Sequence, residues 1–333
     1  MPSPMQNPEQ SSGRNVIAVV ATVILIAGVL IGWQFSIDLA QARVRAAQGS
    51  VLVSTPCGPI EYQEAGTGAA LLVVHGAGGG HDQGMALAES LAQQGVRVIA
   101  MSRFGYLRTP MPPDASPPEQ ADAHACLLDA LGIRQSAVLG ASAGAPSAMQ
   151  MAIRHPGRVS ALILMVPLAY KPVSVADSAP APSALAGKVL DALVGSDFLF
   201  WAMQHMAPDQ LIRRVLGTPP ELVAAASPAE QARVKAMLDI ILPVSERAEG
   251  LRNESKIGNS LQPYPLEAIR APTLIISARD DGYGTYASAQ YSASRIAGAR
   301  FIGYDQGGHL LVGHEEETQQ QILNWQRLYN PVP

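Results

Sequence analysis

Cysteine is scarce in this chain, with only Cys57 and Cys126 among 333 residues. They stand far apart and outside any metal-ligand spacing, so neither a disulfide framework nor a zinc site is expected. Two unpaired thiols are the expectation, with a single bridge as the alternative. Basic charge is also limited: 23 Lys and Arg against 27 Asp and Glu leave a net charge of −4, and no long basic run occurs. Without a positive stripe, nucleic acid is excluded as a partner. No Gly-Lys-Ser/Thr and no GxGxxG continuation follows the glycine-rich stretch at Gly76, which argues against a nucleotide cofactor. His124, His155, His205 and His314 have no acid or cysteine at ligand spacing, so no metal and no cofactor is expected. Repeats are absent, and low complexity is confined to the first dozen residues and to Ser178–Ala184. What remains is 48% hydrophobic and 15% charged, the composition of a chain that buries a substantial core.

The amino-terminal region differs from the rest. Val16 to Trp33, VIAVVATVILIAGVLIGW, is uncharged and long enough at helical rise to cross about 30 Å of hydrocarbon. Residues 1–15 read as a polar tail, 16–35 as a transmembrane anchor in the lipid bilayer, and 36–50 as a linker. Ala40-Gln41-Ala42 resembles a small-x-small cleavage site, but the apolar stretch exceeds the roughly 7 to 15 residues of a signal core, which favours an uncleaved anchor. Arg14 on one side and Arg43 and Arg45 on the other barely discriminate orientation. A short cytoplasmic tail with the large domain on the extracytoplasmic side is the working topology.

From residue 51 onward, strand and helix signals alternate. Val51–Ser54 and Ile60–Gln63 flank Pro56-Cys57-Gly58-Pro59 as a hairpin. Leu71–His75, Val96–Met101, Ala137–Gly140 and Ala161–Val166 are apolar runs interleaved with helical patterns at Gln83–Gln93, Pro118–Leu131 and Ala143–Arg154. Strands this apolar on both faces belong in a parallel sheet covered by helices, an α/β fold with a doubly wound, mostly parallel sheet. The rhythm breaks at Pro167, and residues 167–266 read as a helical cap inserted into the domain 51–333. It returns with Thr273–Ser277, Tyr286–Arg295, Arg300–Tyr304 and a closing helix Glu316–Leu328.

The chemistry follows chain order. Gly140-Ala141-Ser142-Ala143-Gly144 after a short apolar run is the pattern of a serine held on a sharp strand-to-helix bend, where only small neighbours permit the approach. His75-Gly76-Ala77-Gly78-Gly79-Gly80 can turn backbone amides around an anion, which assigns Ala77 and Ala143 as oxyanion donors, with His75 bracing the loop. His81 has a solvated first-turn place, with substrate contact as the alternative. Ala278-Arg279-Asp280-Asp281 ends a strand where open parallel sheets gather functional groups. Asp305-Gln306-Gly307-Gly308-His309 places a histidine past the next strand. A serine hydroxyl needs a base, and the imidazole needs a carboxylate to fix its tautomer. Phe198 to Met203 supplies apolar area for an acyl group or, equally, for packing the lid.

On these four motifs in order, the chain over roughly Val51–Tyr329 resembles the α/β-hydrolase superfamily. The resemblance implies a Ser142, Asp281, His309 triad, with Asp280 as the competing acid, and a variable lid at 167–266. Met101-Ser102-Arg103-Phe104-Gly105-Tyr106 departs from the acid-preceded Arg-Gly-x-Gly-x-Ser pattern of many relatives, so no subfamily's substrate transfers. Serine at the elbow disfavours epoxide hydrolysis and dehalogenation, which resemble each other in using aspartate there. The leading expectation is a serine esterase acting on small to medium apolar esters. The alternatives are a carbon–carbon bond hydrolase or cofactor-free perhydrolase, and a sensor that retains the fold without turnover.

Overall fold

The structure, a computed structural model, describes residues 8–172, 192 and 194–330. The stretch Ser178–Ala184 and the first residues of the polar tail lie outside the described residues. Strands β1 (Val51–Thr55), β2 (Gly58–Ala65), β3 (Ala70–Val74), β4 (Arg97–Met101), β5 (Ser136–Ala141), β6 (Val159–Met165), β7 (Thr273–Ala278) and β8 (Arg300–Tyr304) form one sheet in the order β1-β2-β4-β3-β5-β6-β7-β8. The β1–β2 and β2–β4 pairs are antiparallel, and all other pairs are parallel.

The central strands are apolar on both faces because each face is covered. Leu72, Val74, Ile99, Val138, Leu162 and Ile275 pack on one side against α3 (Pro117–Ala130), α4 (Ala145–Arg154) and α10 (Thr285–Arg295). Their neighbours Leu71, Val73, Val98, Leu139, Ile163 and Ile276 pack on the other against α2 (His81–Gln93) and α11 (Glu315–Tyr329). This period-two division between two helical layers is the double winding expected from the sequence. Strands β3, β5, β6 and β7 all run in one direction, so their carboxyl ends collect the loops that carry chemistry.

Between β6 and β7 the described residues form α5 (Asp197–Met206), α6 (Pro208–Arg214), α7 (Pro220–Ala225), α8 (Pro228–Ile240) and α9 (Ala248–Ser260), and no strand. These helices enclose a third apolar cluster that includes Phe200, Trp201, Leu211, Leu238 and Ile241.

Two sequence expectations need correction. Residues 36–47 are not a linker: α1 is continuous from Pro8 to Ala47. Beyond its apolar part, Phe35, Leu39 and Ala42 lie on one helical face and join the cap cluster, so tertiary burial extends the helix. The Ala18–Ala47 part has an 18-residue window of mean hydropathy 2.2, none of it buried, and is long and apolar enough to cross a membrane. The cysteines are also not free thiols, because Cys57 and Cys126 are disulfide-bonded with Cα atoms 6.1 Å apart. The hairpin β1–β2 carries Cys57 over α3, which holds Cys126, a tertiary approach invisible in the spacing.

Candidate active site

Strand β5 ends at Ala141, and the chain bends at Ser142 with φ +48°, a left-handed conformation that an L-residue adopts only when its surroundings enforce it. Glycine makes that enforcement possible. A Cβ on Gly140 would lie 2.6 Å from the Cβ of Ala148, and one on Gly144 would lie 2.3 Å from the Val74 carbonyl oxygen. Strand and helix therefore close to contact distance, and the Ser142 hydroxyl stands at the sheet's carboxyl edge.

His309 Nε2 lies 2.9 Å from Ser142 Oγ, and its Nδ1 lies 2.9 Å from Asp281 Oδ2. With Nδ1–H donating to the carboxylate, Nε2 is left as the acceptor for the serine proton. Asp281 also accepts from the Tyr283 N–H at 2.8 Å and from the Thr285 hydroxyl. Burial pushes its carboxyl up, but the facing His309 and these hydrogen bonds hold it below the ordinary carboxylate range. Its neighbour Asp280 turns the other way and accepts from the N–H groups of Gly307 at 3.2 Å and Gly308 at 2.8 Å, which shapes the loop carrying His309.

The glycine loop is braced through one peptide unit. The Gly76 carbonyl accepts from His75 Nδ1–H at 2.7 Å and from the Arg103 guanidinium at 3.1 Å, while His75 Nε2 accepts the Arg103 N–H at 3.0 Å. The nitrogen of that same peptide unit belongs to Ala77. Across the elbow, the Ser142 carbonyl accepts from the Leu168 N–H at 3.0 Å, and the nitrogen of that peptide unit belongs to Ala143. Arg103 also donates to the Ala143 carbonyl at 3.2 Å and pairs with the buried carboxylate of Glu254 on α9. One cation thus ties the glycine loop, the elbow and the cap together. Burial, and then the charge of Arg103, holds the His75 imidazole well below its ordinary pKa, so it braces the loop as a neutral ring.

Several contributors carried no sequence signal. The carbonyl of Gly217, in the cap, accepts from the N–H of Gly282 at 2.8 Å and of His309 at 3.1 Å, clamping the acid loop and the histidine loop at once. Thr218 Oγ1 accepts the Leu310 N–H at 3.1 Å, and Tyr283 packs edge-on to His309 with ring centroids 4.8 Å apart. Only their approach in space reveals them.

Other candidates are placed elsewhere. His81 is not a solvated first-turn residue: it is fully buried, with Nε2–H donating to the Ala46 carbonyl at 2.9 Å, and it does not line the cavity. His124 is also buried, between Met101 and Ser147, where burial lowers its pKa to about 3. His155 pairs with Asp122. Among the described residues, no group of three or more His, Cys, Asp or Glu is arranged to hold a metal ion.

Ser142, His309, Ala77 and Ala143 open on a cavity of about 440 Å³ walled largely by apolar side chains, among them Met165, Val166, Leu168, Phe200, Leu216 and Ile241. Of the aromatic lid segment, Phe200 faces this space, whereas Phe198 and Trp201 pack on Phe35 of α1 with ring centroids 5.3 and 5.5 Å away.

Comparison with known proteins identifies the family of the fold. Residues 69–315 match the family described as alpha/beta hydrolase fold. A stretch of 103 residues is 40% identical to 2-hydroxymuconate semialdehyde hydrolase of Pseudomonas putida, covering 30% of this chain and 37% of that relative's length. The 2-hydroxy-6-oxononadienedioate/2-hydroxy-6-oxononatrienedioate hydrolase of Paraburkholderia xenovorans (strain LB400) is 30% identical over 247 residues, 72% of this chain and 78% of that protein. Among solved structures, an alpha/beta hydrolase fold protein from Nakamurella multipartita matches with a TM-score of 0.68 and 28% identity, over 84% of this chain and 99% of that one.

Proposed function

The chain belongs to the α/β-hydrolase fold family, and from that premise we propose that it is a serine hydrolase cleaving carboxylic esters of small to medium apolar substrates. The observation that carries this reading is the unbroken line from Asp281 through His309 to Ser142 Oγ, at 2.9 Å and 2.9 Å, ending in a mostly apolar cavity. His309 takes the Ser142 proton as Oγ attacks the acyl carbonyl, and the Asp281 carboxylate stabilises the imidazolium that forms. The oxyanion that develops is received by the N–H groups of Ala77 and Ala143, held in place through their own peptide carbonyls. His309 then protonates the leaving alkoxide. Water, deprotonated by the same ring, releases the acid from Ser142.

A fluorophosphonate probe and a panel of p-nitrophenyl esters of increasing acyl length test the proposal. Labelling at Ser142, with hydrolysis lost in Ser142→Ala, is expected. A folded preparation that neither labels nor turns over would leave a binding protein, and labelling without hydrolysis beyond one equivalent would do the same.

A second reading is carbon–carbon bond hydrolysis, favoured by the two named relatives. The same residues serve it, with a carbanion in place of the alkoxide as leaving group. Turnover of 2-hydroxymuconate semialdehyde at a kcat/KM above that of the best ester would replace the first reading, and hydrogen peroxide in place of water tests perhydrolysis.

The same proposal places residues 16–35 in a bilayer as an uncleaved anchor. Cleavage after Ala42 would detach Phe35 and Leu39 from the cap cluster and remove the Asp38 acceptor, 2.8 Å from the Trp201 indole N–H. The Cys57–Cys126 bridge supports an extracytoplasmic domain, since such bonds persist in oxidising compartments. The intact mass of the membrane-extracted protein tests retention of α1, and protease added outside spheroplasts tests the side.

A further inference from the structure

The way α1 leaves the membrane fixes which face of the domain meets the lipid. Its run of exposed apolar residues passes through Val19, Val23, Ile26 and Leu30 and ends at Trp33, which is 63% exposed at the place where an interfacial aromatic belongs. The helix does not bend away there; it continues to Ala47 against the domain. At 1.5 Å rise per residue, Phe35 lies only about 3 Å beyond Trp33 along the helix axis, and Ala46 lies about 20 Å beyond it. These two levels touch different parts of the fold. Phe35 packs on Phe198 and Trp201 of α5, whereas the Ala46 carbonyl meets His81 at the start of α2. Helix α5 is therefore at the level of the bilayer surface, and the β1–β2 side of the sheet is distal to it.

The surface of α5 suits that position. Phe198 and Leu199 are each 43% exposed and Met206 is 84% exposed, and Phe198 meets Phe35 just beyond the apolar part of α1. A solvated helix face gains nothing from such exposure, whereas the boundary between headgroups and acyl chains accepts it. The inner side of the same helix carries Phe200, which is buried and lines the cavity containing Ser142. One helix thus stands between the reactive serine and the lipid.

We propose that the outer face of α5, through Phe198, Leu199 and Met206, is seated in the bilayer surface that α1 enters, and that the cavity receives the acyl chain of a lipid ester from that bilayer. The proposal rests on the ester and anchor readings above and deepens them: it names the substrate as membrane-resident rather than dissolved. The orientation follows from the contacts of Phe35 with Phe198 and of Ala46 with His81, and the substrate class from Phe200 and the apolar cavity behind it.

The test uses the full chain reconstituted in phosphatidylcholine vesicles. Because both native cysteines are bridged, Met206→Cys supplies one free thiol for an environment-sensitive fluorophore, and Val51→Cys on distal β1 supplies the control. Shallow doxyl-labelled lipids are expected to quench the label at position 206 and to leave the label at position 51 unchanged. In parallel, Phe198→Asp and Leu199→Asp are expected to lower hydrolysis of a fluorogenic phosphatidylcholine in the vesicles by about tenfold or more, with hydrolysis of p-nitrophenyl butyrate kept within about twofold. An unquenched label at position 206 overturns the docking, and its protection in a cross-linked dimer would give that face to a second copy of the chain. A lipid ester left intact by a protein that still labels with fluorophosphonate and hydrolyses the butyrate overturns the substrate class alone. Failure of labelling itself, by contrast, removes the ester reading and leaves the lipid-quenching result standing.

Discussion

At the scale of single residues, two neighbouring carboxylates perform different tasks because their backbone directions differ. Asp281 faces His309, whereas Asp280 receives two loop amides. Asp281→Asn presents an amide that no longer holds the imidazole in the acceptor tautomer, so kcat should fall on the order of 10⁴-fold, the loss known for the template serine triad. Asp280→Asn keeps an acceptor oxygen for only one of the two N–H groups, which bond to separate carboxylate oxygens, but leaves the His309 contact with Asp281 in place and should lose less than about tenfold. Steady-state kinetics on one ester separates them, and equal losses would remove the distinction. Adjacency in sequence made the pair ambiguous. The choice is made by Tyr283, by Thr285 and by the carbonyl of Gly217, which arrives from the cap. The bend at Ser142 was legible for the opposite reason: its left-handed backbone demands Gly140 and Gly144 at fixed offsets, so the local geometry is written into five residues.

At the scale of elements, strands β3, β5 and β7 could be read from apolar runs because both of their faces are buried, and burial on two faces leaves no polar alternation to confuse. The carboxyl end of α1 was less legible, since residues 36–47, with Asp38, Gln41 and Arg43, read as linker until the cap supplies a partner for Phe35, Leu39 and Ala42. The link between the β4 loop and the cap is of the same kind. Arg103 holds the Gly76 and Ala143 carbonyls and is itself held by Glu254, so the glycine loop and the Ser142 bend are tied by an ion pair spanning two elements. Arg103→Lys retains charge but cannot reach all three acceptors at once. On the proposed mechanism the N–H groups of Ala77 and Ala143 would then be misaligned, costing about 10- to 100-fold in kcat with KM little changed. Glu254→Gln, which leaves Arg103 without its anion, should move kcat in the same direction. A rise in KM at constant kcat in both variants would instead assign the pair to substrate binding.

For the molecule as a whole, stability depends on its covalent tie and on its buried imidazoles. The Cys57–Cys126 bridge closes a loop over a sequence separation of 69 and fastens the edge hairpin to α3. Reduction should lower the melting temperature by the equivalent of about 2–4 kcal/mol, measured by paired melts with and without dithiothreitol. Acid acts through different groups. His124 is neutral in the folded protein down to about pH 3, and His75 is likewise held well below its ordinary pKa. In the unfolded chain both take up a proton below about pH 6.5. The unfolded state then binds more protons than the native state, so stability falls with falling pH by about 1.4 kcal/mol per unit for each ring. Asp281 acts with the same sign at lower pH: its depressed carboxyl adds stability above the ordinary carboxylate range, near pH 4, and that contribution is lost as pH falls through the folded-state value. The melting temperature should therefore decline as pH falls from about 6.5 toward 5. His124→Gln lowers the whole curve by disturbing the contacts with Met101 and Ser147, yet it should flatten the decline by removing one of the two rings held neutral in the folded state. Melts of parent and variant at three pH values decide the matter, since identical slopes would mean that the buried ring contributes nothing to acid sensitivity.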